Sequence, residues 1–170
     1  MCLDASPWGL GGYLTEDGII TTYFATPLTD EELRILHIRR GESSAQQVVE
    51  ALAVLVALRA WSARWSGQRA IIHVQSDSIS ALIISQTLKT SGKGAGIVAR
   101  EIALDIAHAV YTPHIAEHIP GDENVIADAL SRKFAPGFEY VLPQCLVGVP
   151  ELILDHRGTD YFRTIAQPST

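Results

Sequence analysis

Apolar and β-branched positions cluster in short runs through the first 27 residues and then recur at helical spacing, and this change of period divides the chain into elements. Residues 9 to 27, GLGGYLTEDGIITTYFATP, read as a β-hairpin: two β-rich runs flank Glu16-Asp17-Gly18, whose Asp-Gly pair supplies the positive φ of a tight turn. A strand before it ends near Leu3-Asp4. From Ser44 to about Trp65 the pattern turns helical, opened by Ser44 with Gln47 three residues later as a capping box. This helix is apolar nearly all round and should be largely buried. AIIHVQSD, 70 to 77, is a strand rich in β-branched residues, and Asp77 or Ser78 can cap a helix that runs to about Leu88. SGKGAG, 91 to 96, breaks the chain before a second helix at roughly 97 to 110. PHIAEHI is then a short strand, and Asn124 can cap a final helix.

The order β-β-β-α-β-α-α-β-α predicts an α/β fold with a mixed five-stranded sheet flanked by helices. Beyond Lys133, Pro136, Pro143 and Pro150 with Gly137, Gly148 and Gly158 punctuate short apolar runs that have no sustained period. The organisation read from this is a domain at 1–133 and a C-terminal tail or linker at 134–170, part of which can pack.

Composition narrows the class. With 170 residues, 47% apolar and 19% charged, the chain suits one globular domain. Cys2 and Cys145 lie far apart, with no CxxC spacing and no secretory h-region, which argues against a disulfide framework or a zinc site. An intracellular, reduced protein is expected, cytoplasmic or nuclear and not secreted. The longest apolar run, Ala51 to Leu58, is bounded by Glu50 and Arg59 and falls far short of the roughly 20 residues of a membrane span, so no membrane partner is expected. The net charge of -6 argues at first sight against a nucleic-acid partner, because phosphate binding rests on basic surface.

Four carboxylates stand where packing would not choose them. Asp4 ends the first strand ahead of small residues, Glu50 lies inside VVEALAVLVAL, Asp77 ends IIHVQSD, and Asp128 sits among Val125, Ile126, Ala127, Ala129 and Leu130. An ionised carboxylate in an apolar setting costs several kcal/mol unless a partner compensates it. Strand ends on one edge of an α/β sheet converge, and a helix packed on the sheet can bring its own acid to the same point. Converging acids without His or Cys point to Mg²⁺ or Mn²⁺ rather than zinc. Singly, each acid has an ordinary reading: Asp77 as a helix cap, Asp128 as a solvated helix position, Glu50 on an exposed stripe with Gln46 and Gln47, Asp4 in a turn with Ser6-Pro7.

Taken together and in this order, DASPWGLGGYL, QQVVEALAVLVAL, VQSDSISAL and HIPGDENVIADALSR resemble a ribonuclease H domain, in the version embedded in the reverse-transcriptase polyproteins of retroelements. The match runs from residue 2 to 133, and the last two motifs are its more specific parts. The resemblance implies an RNase H-like fold in which Asp4, Glu50, Asp77 and Asp128 are the acidic ligands of two Mg²⁺ (or Mn²⁺) ions. Two cations about 3.5–4 Å apart can activate an attacking water on one side of a phosphorus and steady the leaving 3′ oxygen on the other. The implied activity is endonucleolytic hydrolysis of the RNA strand of RNA:DNA hybrids, leaving 5′-phosphate and 3′-hydroxyl ends. The implied partner, besides the hybrid, is an adjoining reverse transcriptase. The charge objection weakens accordingly, since two divalent cations would offset four of the six negative charges.

Selectivity for RNA would rest on contacts to 2′-hydroxyls across the shallow minor groove. Ser6, Trp8, Gln46 and Ser78 are the candidates because they lie near the acids in sequence; for Trp8 the competing reading is packing in the hairpin. Lys89, Lys93 and Arg100 surround the glycine-rich stretch but charge it thinly, and SGKGAG lacks the GxxxxGK[ST] spacing of a phosphate loop. Arg34, Arg39 and Arg40 are read as a solvated connector.

The chain departs from the family at two points. No His lies between Pro120 and Asp128, where cellular members carry one; His118 is the nearest, and an auxiliary role for it competes with a plain strand-end position. Only Met1-Cys2-Leu3 precede Asp4, so the first strand reads as truncated, as in a fragment of a longer polyprotein, with Asp4 loosened. Two alternatives follow: a catalytically silent structural or hybrid-gripping module of such a polyprotein, and an RNase H-fold DNA nuclease or transposase relative, against which the ADALSR ending speaks.

Overall fold

The computed structural model describes residues 1–66, 70–78, 92–108 and 111–165, with the backbone alone for 70 and 111–118. Five strands, β1 (Cys2–Ala5), β2 (Gly9–Glu16), β3 (Ile19–Pro27), β4 (Ala70–Ser76) and β5 (Tyr111–His118), form one mixed sheet in the order β3-β2-β1-β4-β5. The central β1 runs antiparallel to β2 and parallel to β4, and β4 runs parallel to β5. The hairpin turn is the expected one, with Asp17 and Gly18 at φ 51° and 79°, a pair of positive values whose twist matches that of the strands. The α-helices among the described residues are α1 (Asp30–Ile35), α2 (Ser43–Ala60), α3 (Ser62–Trp65), α4 (Lys93–His108) and α5 (Val125–Ser131). The α/β plan with a mixed sheet flanked by helices is as the sequence predicts.

α2 is the central helix. It buries Ala45, Val48, Val49 and every residue from Ala51 to Leu58, as its all-round apolar pattern requires. Its start and end differ from expectation. Glu42 is the N-cap and makes no side-chain cap bond, so the Ser44–Gln47 box does not form, and Trp61 ends the helix before the separate turn of α3. The capping box belongs instead to α1, where the Thr29 hydroxyl accepts from Glu32 N (3.2 Å) and the Glu32 carboxylate accepts from Thr29 N (2.9 Å). The segment holding Arg34 is thus a helix rather than a connector.

α4 begins at Lys93, so Gly94 and Gly96 lie inside the helix that SGKGAG was expected to precede. A close approach explains Gly94: a Cβ there would stand 2.3 Å from the Leu36 carbonyl oxygen. The helix expected to run to Leu88, and Lys89 with it, lies outside the described residues. α5 lies just as closely on β2, where a Cβ on Gly11 would come within 2.5 Å of both Leu130 Cβ and Ser131 N. Gly11→Ala is therefore expected to destabilise the protein by about 1–3 kcal/mol by pushing α5, and Asp128 with it, off the sheet; urea denaturation measures the loss.

Residues 134–165 pack against the hairpin and α1. Glu151 bridges to Tyr23 of β3, Leu146 and Phe162 are fully buried, and Arg157 enters the interior between β3 and α1. Its guanidinium meets the Glu32 carboxylate at 2.5 Å, donates to Thr26 Oγ1 (2.8 Å) and reaches the Pro27 carbonyl (2.9 Å). Among the described residues no helix is long and apolar enough to cross a membrane.

Candidate active site

Parallel neighbours end on the same edge of a sheet, and that edge receives the acids. Asp4 is the third residue of β1, and Asp77 directly follows β4 beside it. Glu50 comes from α2, packed across the sheet, and Asp128 from α5, packed on β1 and β2. All four line one open cavity of about 490 Å³. Trp8, Gln46, Arg132 and Phe138 share its walls.

Asp4, Glu50 and Asp128 are each held by a neighbouring side chain. Ser131 Oγ donates to Asp4 Oδ2 at 2.5 Å and also contacts the Asp128 carbonyl (3.0 Å). Gln46 Nε2 donates to Glu50 Oε1 (2.9 Å) and to the Ala5 carbonyl (2.9 Å), while Ser78 Oγ donates to Glu50 Oε2. Arg132 pairs with Asp128 at 2.6 Å, one helical turn along. Asp77 lies against Gly121, where a Cβ would stand 3.4 Å from its Oδ2.

Asp4 carries the charge effects of its surroundings. Burial pushes the Asp4 carboxyl up to about 7; the Ser131 hydrogen bond opposes this, and the charges of Asp77 and Asp128 add to it. A carboxyl raised in this way binds its proton more tightly in the folded chain than in the unfolded one. Its contribution to stability is therefore intact below the ordinary value of 3.8 and is lost as pH rises to about 7. In chelator, the stability difference between wild type and Asp4→Asn should shift against the wild type by up to about 4 kcal/mol between pH 4 and pH 8. Denaturant melts across that range measure it, and a pH-independent difference would show that Asp4 is not raised.

The sequence-derived substrate candidates take different places. Ser6 is buried, its hydroxyl donating to the Ser131 carbonyl (2.8 Å) and accepting from Trp8 N (3.1 Å) and Gly9 N (3.2 Å). Ser78 is buried against Glu50, and Gln46 bridges Glu50 to β1. Trp8 stands on the cavity rim rather than packed in the hairpin. His118 closes β5; its side chain lies outside what is described.

Three site residues were missed from sequence: Asn124, Ser131 and Arg132. Asn124 precedes α5 as expected, but its side chain makes no cap bond. It is buried, donates to the Leu3 carbonyl (3.1 Å) and accepts from Cys2 Sγ (3.0 Å), which ties α5 to β1. The signal was helical spacing, since Asn124 and Ser131 stand four before and three after Asp128 and so share its face.

Among the described residues no group of three or more His, Cys, Asp or Glu side chains is gathered tightly enough to hold a metal ion as placed. The donor set nevertheless fits a hard divalent cation: it is all carboxylate, converges on one cavity, and includes an Asp4 made costly to ionise by burial and by the two neighbouring acids. No protein-family model matches the chain, nor does any curated protein or solved structure.

Proposed function

We propose that this chain is a metal-dependent endoribonuclease of the ribonuclease H type, cutting the RNA strand of RNA:DNA hybrids as part of a retroelement reverse-transcriptase polyprotein. One observation carries the reading: one acid from each of four separate motifs, on β1, on α2, after β4 and on α5, lines one cavity. The sheet, with β1 between an antiparallel β2 and a parallel β4, is compatible with an RNase H-like fold.

Asp4, Glu50, Asp77 and Asp128 would hold the cations, Mg²⁺ or Mn²⁺. A bound pair would supply an activated water and charge stabilisation at the leaving 3′ oxygen. The chain's other residues set the ligands in place. Gln46 and Ser78 hold both oxygens of Glu50, and Ser131 holds Asp4 on the helix that carries Asp128. Arg132 pairs with Asp128 and offers a guanidinium on the cavity wall, suited to phosphate oxygens.

The test incubates the purified chain with Mg²⁺, and separately with Mn²⁺, on an RNA:DNA hybrid, an RNA duplex and a DNA duplex labelled on each strand. Cutting confined to the RNA strand of the hybrid, and lost in chelator, is expected. Cutting of DNA would point instead to a DNA nuclease or transposase relative. A second reading, the catalytically silent module that grips hybrid, is favoured by the Arg132–Asp128 pair, which occupies one would-be ligand. Hybrid binding without cutting by the folded chain would establish it.

A further inference from the structure

Of the three tryptophans, Trp61 and Trp65 are core residues, 2% and 5% exposed, whereas Trp8 is 36% exposed on the rim of the acid-lined cavity. An exposed indole is ordinarily free to turn, but this one is braced. The Trp8 backbone is fixed, its amide N–H donating to Ser6 Oγ (3.1 Å) and its carbonyl accepting from Leu28 N (2.9 Å), and the ring itself is held by a cation on one face. The Arg40 guanidinium lies over the ring, 4.9 Å from its centroid, and is itself fixed by the carbonyls of Pro7 and Leu28 and by the Asp30 carboxylate. Arg40 was read from sequence as part of a solvated connector; three hydrogen-bond partners and an aromatic face make it an anchor.

The result is a flat apolar surface on a fixed backbone, backed by an anchored cation, beside the acids. A second exposed aromatic, Phe138, lines the same cavity. Held rings lose little freedom on contact and so contribute most of their contact energy to binding. In a duplex the bases already stack on one another, while the sugars of an A-form-like helix are displayed across a wide, shallow minor groove. The C–H face of a sugar suits an aromatic ring, and the neighbouring guanidinium adds attraction toward the phosphates.

We propose that Trp8, positioned by Arg40, is the surface on which a strand of the hybrid rests its sugars beside the acids, with Phe138 as a second contact. The proposal builds on the reading of the cavity as a hybrid-cutting site. Trp8 would touch substrate; Arg40 acts through it as a positioning residue.

The test measures KM and kcat of the full chain on a short RNA:DNA hybrid. It also follows tryptophan emission and its quenching by acrylamide as the same hybrid is added to the Asp77→Asn variant. Trp8→Ala is expected to raise KM about 5- to 100-fold, the scale of an aromatic–nucleotide contact, with the larger part of the loss in KM rather than kcat. Trp8→Phe should retain most of the affinity. Arg40→Met should raise KM by less than Trp8→Ala and Arg40→Lys by less again, because lysine restores charge but not the planar stack. Since Trp61 and Trp65 are already shielded, hybrid should lower acrylamide quenching through Trp8 alone, and the change should vanish in Trp8→Phe.

Hybrid that is cut by wild type, with KM unchanged in Trp8→Ala and no protection from acrylamide, would overturn this proposal and leave the ribonuclease reading standing. Hybrid neither bound nor cut by the wild type would overturn both. If circular dichroism shows Trp8→Ala to be unfolded, Trp8→Phe and the quenching measurement decide the question.

Discussion

Asp77→Asn is expected to reduce hybrid cleavage by at least about 10³-fold while leaving the chain folded. The substitution keeps the shape and removes one negative charge from the place where β1 and β4 end together. If that charge helps hold a cation whose stabilisation of the transition state is worth several kcal/mol, losing it costs tenfold in rate for each 1.4 kcal/mol. The same charge raises the Asp4 carboxyl, so its removal relieves repulsion in the metal-free protein. Stability in chelator at pH 8 should therefore be unchanged or higher. Loss of activity with a preserved or raised melting temperature separates a ligand from a packing residue. Glu50→Gln and Asp128→Asn should behave alike in cleavage, although Glu50→Gln also disturbs the Gln46 and Ser78 hydrogen bonds and should cost some stability. Cleavage within tenfold of wild type in Asp77→Asn would end the two-metal reading.

The largest effect on stability is expected far from the acids, at Arg157. Its guanidinium and the Glu32 carboxylate are 4% and 0% exposed, respectively. Removing one partner of such a pair strands the other charge away from water, which costs about 3–5 kcal/mol. Arg157→Ala should lose this much in urea denaturation, as should Glu32→Ala, which also deletes the acid of the α1 capping box. Replacing both residues at once with apolar residues of similar size should recover most of the loss, because no unpaired charge is then left buried. If the single variants cost less than about 1 kcal/mol, the C-terminal segment is not docked as described. The pair also bears on domain organisation. Cutting the chain after Lys133 would remove Arg157, Leu146 and Phe162 together and open the outer face of the hairpin, so such a truncation should not fold as the full chain does.

What could be read from the sequence was whatever depends on neighbours a few residues apart. Asp17-Gly18 marks the hairpin because the turn's positive φ is a local requirement. The apolar run of α2 marks a buried helix, and the β-branched run from Ala70 marks β4. The four acids stood out because each interrupts an apolar or strand-end context, although nothing local could say whether they meet. Even one local signal was misassigned: Thr29 and Glu32 have capping-box spacing, while Ser44 and Gln47 have it too and do not use it.

Tertiary structure decided the rest, for reasons that lie in long-range contact. Gly94 belongs inside α4 because the Leu36 carbonyl comes too close for any side chain, which outweighs glycine's poor helix propensity. Asn124 gives up its capping role to bond with β1, more than a hundred residues away. Arg157, Leu146 and Phe162 form no periodic pattern, so their burial follows only from distant surfaces: Thr26 and Glu32 for Arg157, the cluster with Tyr23 and Leu130 for Leu146, and the main core for Phe162. The cavity follows the same logic. Sequence supplied four carboxylates of the right chemistry, but a parallel pair of strand ends, with two helices packed across them, was needed to bring all four to one opening.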